Sequence, residues 1–138
     1  MKGLARVVDD VAGAAARAAK DYDLIVKEAL ERAVAKTGPR ANYKSAQSYG
    51  VAVHNALKEE ILALGDPRLR AEVSYRAKDP ADYGEPGSVR LDVVLYDESG
   101  ALAKVWDLKT GAAPLSKSRI REIERHIPDA CPIEEIRP

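Results

Sequence analysis

Charged residues inside two short apolar runs constrain the fold of this chain more than any other feature. The runs cover residues 89–96 (VRLDVVLY) and 103–109 (AKVWDLK), and a polar connector at residues 97–100 (DESG) separates them. Short runs rich in valine and leucine, bounded by a turn signal, predict the two strands of an antiparallel hairpin. Burying a charge in such a strand is costly unless the charge is paired or binds a metal ion. The charged side chains of this hairpin are therefore expected to form a site.

The composition indicates one globular domain. Of the 138 residues, 46% are hydrophobic and 32% are charged, and no apolar run approaches the length of a membrane span. Basic and acidic residues balance at 22 each, which argues against a protein that coats nucleic acid by bulk charge. The single cysteine, Cys131, excludes an internal disulfide and a cysteine-rich zinc site.

The order of predicted elements indicates an α/β (α+β) domain with a small sheet flanked by helices. Alanine-rich and charged sequence predicts a helical leader over residues 1–40, and residues 41–138 are predicted to form the main domain. Its predicted elements are a helix at 43–64, a strand at 69–75, a loop at 77–87, the hairpin, a basic helix at 115–127 and a last strand at 131–136.

Side-chain alternation predicts that the charged residues of the hairpin share one face. Asp107 and Lys109 are two positions apart on one strand, and Asp92 of the neighbouring strand can lie across from them. The opposite face is expected to hold the apolar residues Leu91, Val93 and Leu95.

Two converging carboxylates favour a metal site. They repel each other unless a divalent cation lies between them, and their oxygen atoms suit Mg²⁺ or Mn²⁺. A lysine beside the metal can orient the attacking water and stabilise negative charge on phosphate, which is the chemistry of phosphodiester hydrolysis. The competing explanation is an ordinary solvated ion pair on an exposed sheet face.

Glu60 is a further candidate for this site. On a helical wheel it falls in the middle of the apolar stripe that includes Val53. A glutamate on a core-facing stripe needs a partner, which a metal ion or the Lys109 ammonium would supply. The alternatives are that Glu60 reaches solvent at the end of the stripe or pairs with an arginine. Glu72 is a reserve ligand, whereas His54 is isolated in the sequence and is interpreted as a surface or rim residue.

Candidate phosphate contacts flank the acidic residues. Thr110 follows the lysine directly, and Arg90 shares the strand face of Asp92. Lys117 and Arg119 lie at the end of the basic helix nearest the predicted site. The alternative for this helix is an ordinary solvated face.

The order of these elements and charges resembles the PD-(D/E)xK nuclease superfamily, which has the restriction-endonuclease-like fold. The resemblance covers roughly residues 43–127, from the helix with glutamate through the Asp-x-Lys strand to the basic helix. Residues 87–94 (GSVRLDVV) and 106–111 (WDLKTG) look more specifically like nuclease toxin modules of bacterial polymorphic toxins, found at the ends of contact-dependent inhibition, Rhs and type VI effector proteins. Leu91 stands where the family motif has proline.

The resemblance implies a metal-dependent endonuclease with a restriction-endonuclease-like core. Asp92, Asp107 and Glu60 would hold the metal, with Mg²⁺ expected before Mn²⁺ or Zn²⁺, and Lys109 would be the catalytic lysine. It also implies a toxin, delivered within a larger secreted effector, that cuts DNA in the cytoplasm of a competing bacterium and is neutralised by a cognate immunity protein. The alternatives are a tRNA-cleaving toxin of this fold, a repair or resolvase nuclease, and a non-catalytic nucleic-acid-binding module.

Overall fold

Three helices and a five-stranded mixed sheet make up residues 21–138, the part of the chain that the computed structural model describes. The helices are α1 over residues 21–37, α2 over Ala46–Ala63 and α3 over Lys117–His126. The strands are β1 (Leu69–Arg76), β2 (Asp79–Ala81), β3 (Val89–Tyr96), β4 (Leu102–Leu108) and β5 (Ile133–Ile136). Their order in the sheet is β2-β1-β3-β4-β5, and only the β4–β5 pair is parallel. The predicted mixed α/β class is confirmed.

The predicted elements are present in the predicted order, with one addition. The β3–β4 hairpin is antiparallel, and Ser116 caps α3 by accepting the Arg119 N–H. Ser45 caps α2 in a reciprocal arrangement with Ser48. The first part of the predicted leader, residues 1–20, lies outside the described residues.

The added element is the short strand β2, which lies in the predicted loop at 77–87. A two-residue turn, Ala77-Lys78, joins it to β1, and its φ values of 48° and 73° are those that a tight hairpin turn requires. His126 of α3 holds this turn in place. Its Nδ1 accepts the Ala77 N–H and its carbonyl accepts the Lys78 N–H, both at 2.9 Å.

Two hydrophobic clusters lie on the two faces of the sheet. Val93 and Val94 are neighbours on β3, and they belong to different clusters because successive strand residues point to opposite faces. Helices α1 and α2 pack in the first cluster, around the fully buried Trp106. Helix α3 packs in the second cluster through Ile123, and Ile127, the residue that follows the helix, packs there as well.

The described part of the predicted leader contributes to this core. Helix α1 buries four side chains in the first cluster, together with α2 and the sheet: Val26, Ala29, Leu30 and Ala33. The predicted boundary at residue 40 therefore falls between two helices that share one core. Within residues 21–138, none of the helices is long and apolar enough to cross a membrane.

Strict side-chain alternation breaks where β1 and β3 carry their acidic residues. Val93 lies in the first cluster, as expected, but Leu91 lies in the second, so the prediction that they share a face is wrong. Ala71 pairs with Val93 and Val73 with Leu91, so the break lies between these two pairs. The residue between them on β1 is Glu72, whose φ of 53° is in the left-handed region and turns the strand locally.

Candidate active site

A cavity of about 820 Å³ lies between α2 and strands β1, β3 and β4. Its volume is in the range of ligand-binding clefts. The predicted residues Asp92, Asp107, Lys109, Thr110, Arg90 and Arg119 line it. In all, its lining carries three acidic and four basic side chains: Glu72, Asp92, Asp107, Lys58, Arg90, Lys109 and Arg119.

The two aspartates of the hairpin are held in different ways. The Oδ2 atom of Asp92 accepts the backbone N–H of Leu108 at 2.7 Å, which ties β3 to β4 at the site. Asp107 is only 4% exposed, and its Oδ2 atom has no hydrogen-bond partner within residues 21–138. The Lys109 Nζ lies 3.3 Å from that oxygen as an ion pair without hydrogen-bond geometry.

The buried carboxyl of Asp107 is electrostatically unfavourable in its charged form. Burial raises its pKa above the usual range, and the negative charge of Asp92 raises it further, whereas Lys109 opposes both effects. A buried oxygen that accepts no hydrogen bond costs free energy, so a cation can stabilise it, as the Lys109 ammonium does in part.

His54 of α2 interacts with Asp92, so the prediction that it is isolated is wrong, although it is partly exposed in the cavity lining as a rim residue would be. Its Nε2 lies 3.6 Å from the Asp92 Oδ1, and its Nδ1 lies 2.8 Å from the Gly50 carbonyl one turn earlier in the helix. The interaction with Asp92 raises the pKa of the imidazole, and burial opposes this shift. At 3.6 Å the contact with Asp92 is an ion pair when the imidazole is protonated, whereas the Nδ1 contact with Gly50 has hydrogen-bond length.

Glu60 is buried as the helical wheel predicts, but the structure places it away from the cavity. Its Oε2 accepts from Arg32 Nε at 2.9 Å, and its Oε1 lies 2.7 Å from Lys36 Nζ. The ion pair with Lys36 and the one with Arg32 lower the pKa of this carboxyl. Both partners come from α1, so the alternative of pairing with an arginine describes the observed contacts. Lys117 also lies outside the cavity lining.

Glu72 occupies the cavity instead. The left-handed backbone at this residue re-aims the β1 side chain, and its Oε2 lies 3.4 Å from Lys58 Nζ. Glu72 is therefore a third carboxylate of the cavity, and like Asp107 it forms an ion pair with a lysine.

The donor set fits Mg²⁺ better than the other divalent metals. Across residues 21–138, no group of three or more His, Cys, Asp or Glu side chains is arranged to hold a metal ion. Zinc sites use at least three protein ligands and calcium sites use six to eight oxygen atoms, whereas Mg²⁺ keeps several waters and needs only one or two carboxylates. Asp92 and Asp107, whose Oδ2 atom accepts no hydrogen bond within residues 21–138, therefore fit Mg²⁺ or its close substitute Mn²⁺.

The basic side chains of the cavity are positioned by the backbone around them. The Arg119 guanidinium donates to the Arg90 carbonyl at 3.3 Å and to Glu122 at 3.1 Å, so α3 is tied to β3 beside the carboxylates. The segment after Lys109 is also held, because Arg137 donates to the carbonyls of residues 111 and 113. These contacts fix positive charge at the rim, where phosphate groups can bind.

Helix α2 approaches Thr110 as closely as a glycine allows. A Cβ atom built on Gly50 would lie 2.7 Å from the Thr110 Oγ1, a distance that side-chain carbons do not adopt. The glycine therefore lets the helix lie against the residue that follows Lys109 and closes this end of the cavity.

This close approach makes the effects of two substitutions depend on each other. Gly50→Ala alone should displace Thr110 and lower stability, although alanine favours a helix by about 1 kcal/mol. In the Thr110→Ala background the collision is absent, so the same change should raise stability. Urea unfolding of the wild type, the two single variants and the double variant measures the coupling free energy between the two substitutions. We expect it to be about 1 kcal/mol or more. Additive effects would show that the two residues do not touch.

Comparison with known proteins identifies no family. No protein-family model matches the chain, and no curated protein matches it. A similar solved structure is described as a cryo-EM structure of a DrdV–DNA complex; it is 23% identical, with a TM-score of 0.37. The similarity covers 81% of this chain and 10% of that chain, so this chain spans about a tenth of the other protein's length.

Proposed function

We propose that this protein hydrolyses phosphodiester bonds of nucleic acid in this cavity with a divalent metal ion. Mg²⁺ is the metal that we expect first. The observation that carries the proposal is the buried Oδ2 atom of Asp107, which accepts no hydrogen bond in the described part of the chain and forms an ion pair with Lys109. It lies beside a second carboxylate, Asp92, and a lysine, Lys109. An ordinary surface ion pair would be solvated, whereas this carboxyl is almost fully buried.

Each residue has a role that follows from its position. Asp92 and Asp107 would hold the metal, which when bound supplies a Lewis acid and lowers the pKa of coordinated water. Lys109 orients the attacking water and stabilises negative charge that develops on the phosphate oxygens. Arg90 and Arg119 bind the flanking phosphates through charge-assisted hydrogen bonds. Asp92 keeps its orientation because the Leu108 N–H holds one of its oxygens.

DNA is the proposed substrate, and tRNA is the alternative. The chain as a whole carries no net charge, but four lysine and arginine side chains, beside three carboxylates, converge on this one cavity. Local positive charge beside a carboxylate pair suits a polyanion that is bound through its backbone. The same charges would serve a non-catalytic binding module, but such a module would have no need of the buried carboxylates.

A cleavage assay with a lysine variant tests this proposal. Purified protein would be incubated with plasmid DNA or total tRNA, in Mg²⁺ or in EDTA. We expect cleavage in Mg²⁺ only, and a loss of about 10²-fold or more in Lys109→Met, because the variant lacks the charge beside the phosphate. Lys44→Met is the matched control, since Lys44 is exposed outside the cavity. Cleavage that is unaffected by Lys109→Met, or absence of metal-dependent cleavage of either substrate, would contradict the proposal.

We also propose that this nuclease acts as a toxin in the cytoplasm of a competing bacterium, delivered in a larger effector and neutralised by an immunity protein. The support is the sequence resemblance of residues 87–94 and 106–111. Induced expression in a bacterial host should stop growth, and the Lys109→Met variant should restore it at equal protein level. Normal growth with active wild-type nuclease would contradict the toxin role and favour a repair or resolvase enzyme.

A further inference from the structure

Tyr83 is an exposed aromatic side chain at the edge of the catalytic cavity. It is 75% exposed, whereas every other tyrosine in residues 21–138 is at least partly buried. It lies between β2 and β3 and lines the same cavity as Asp92 and Asp107. Exposure of a large ring gives up the hydrophobic stabilisation that burial would provide, so the fold itself gains little from this residue.

The ring is paired with a cation that belongs to the same site. The guanidinium carbon of Arg90 lies 4.8 Å from the centroid of the Tyr83 ring, a cation–π distance. Arg90 is two residues before Asp92 on β3, and its carbonyl accepts a hydrogen bond from Arg119. The cation–π contact thus places the aromatic ring beside the strand that carries Asp92, while most of its surface remains open to solvent.

We infer that Tyr83, supported by Arg90, stacks an unpaired nucleobase next to the scissile phosphate, so that the substrate is single-stranded or locally unpaired nucleic acid. This inference rests on the proposed function and names its substrate class. An exposed ring beside a positively charged phosphate site has the two parts by which proteins bind single strands, a stacking surface and backbone charge. Paired bases in a duplex are stacked on each other and offer no free face to such a ring.

Stacking recognises the planar face that DNA and RNA bases share. The inference therefore covers both DNA and RNA, and separate DNA and RNA oligonucleotides distinguish them. Single-stranded oligo-dT and oligo-U would be compared with a DNA duplex of equal length, each carrying a fluorescent label. Anisotropy titrations in the Asp107→Asn background give the dissociation constants without cleavage.

The variants are chosen to separate stacking from other roles. We expect Tyr83→Ala to weaken single-strand binding about ten-fold, within the range measured for removal of one stacked base, and to change duplex binding less than about two-fold. Tyr83→Phe keeps the ring and should bind like the parent. Leu62→Ala is the matched control, because Leu62 is also exposed (62%) and lies outside the cavity lining. Circular dichroism of each variant checks that it is folded.

Three outcomes would overturn the inference. They are unchanged single-strand binding in Tyr83→Ala, an equal loss for the duplex, and a loss in Tyr83→Phe as large as that in Tyr83→Ala. Failure of the proposed hydrolysis is a different result: the wild type would then cut nothing, while the Tyr83→Ala effect on single-strand binding persists. Cleavage without that effect would leave the proposed function intact and remove the stacking role.

Discussion

Replacing Asp107 by asparagine is expected to abolish hydrolysis while leaving the protein at least as stable as the wild type. The variant keeps the shape of the side chain but loses the charge that would hold the metal, so activity should fall at least about 10³-fold. Stability should not fall, because burial and the charge of Asp92 make the ionised carboxyl unfavourable in the folded state. Cleavage rates in Mg²⁺ and urea unfolding in EDTA measure the two effects.

The difference in stability between Asp107→Asn and the wild type should depend on pH with a definite sign. The folded-state pKa of Asp107 is raised above the unfolded value of about 3.9, so the folded chain binds this proton more tightly than the unfolded chain does. Its contribution to stability is therefore fully present below the unfolded pKa and is lost as pH rises through the folded-state pKa. The stability of Asp107→Asn relative to wild type should increase from about pH 4 towards neutral pH. A relative stability that stays constant or falls would contradict this account.

Asp79→Asn is the matched control for that experiment. Asp79 lies on β2 and is exposed, so its loss should change neither activity nor the slope of stability with pH. A similar response in both variants would mean that the effect comes from net charge and not from the buried site.

Replacing Trp106 by alanine is expected to cause the largest loss of stability in this protein. The side chain is fully buried at the centre of the first cluster, and its Nε1 donates to the Asp23 Oδ1 of α1 at 3.0 Å. Truncation of a buried aromatic costs about 3–5 kcal/mol, against a total stability of about 5–15 kcal/mol for a domain. Urea unfolding followed by far-ultraviolet circular dichroism measures it, because Trp106 is the only tryptophan.

The matched control for Trp106 is Tyr83→Ala, which truncates an exposed aromatic. We expect this substitution to change the free energy of unfolding by no more than about 0.5 kcal/mol. A cost below about 1.5 kcal/mol for Trp106→Ala would mean that α1 and the sheet do not share a packed core. That result would favour the prediction that residues 1–40 are a helical leader outside the main domain.

The hairpin and its charged residues were predictable because the signals are local. Alternation along two adjacent strands and a short connector suffice to bring Asp92 and Asp107 to one cavity. Alternation failed at Leu91, where the left-handed conformation of Glu72 on the neighbouring strand turns the sheet. A glutamate carries no sequence signal for positive φ, as glycine or asparagine would.

The partners of the acidic residues could not be predicted, since they depend on packing between distant elements. The helical wheel shows that Glu60 is buried, but Arg32 lies 28 residues earlier, on a helix assigned to the leader. His54 meets Asp92 only because α2 crosses β3 at that turn of the helix. Strand β2 was missed for a different, local reason. The Ala77-Lys78 turn lacks the Asn-Gly sequence that usually marks such hairpins.

Binding of Mn²⁺ by the metal-free protein tests the central claim most directly. Electron paramagnetic resonance of free Mn²⁺ during a titration counts bound ions without any assumption about substrate. We expect one site in the wild type, loss of that site in Asp107→Asn, and retention in Lys109→Met, because only the carboxylate supplies a ligand. Equal Mn²⁺ binding by Asp107→Asn and wild type, or no binding by the wild type, would show that the carboxylate pair is not a metal site.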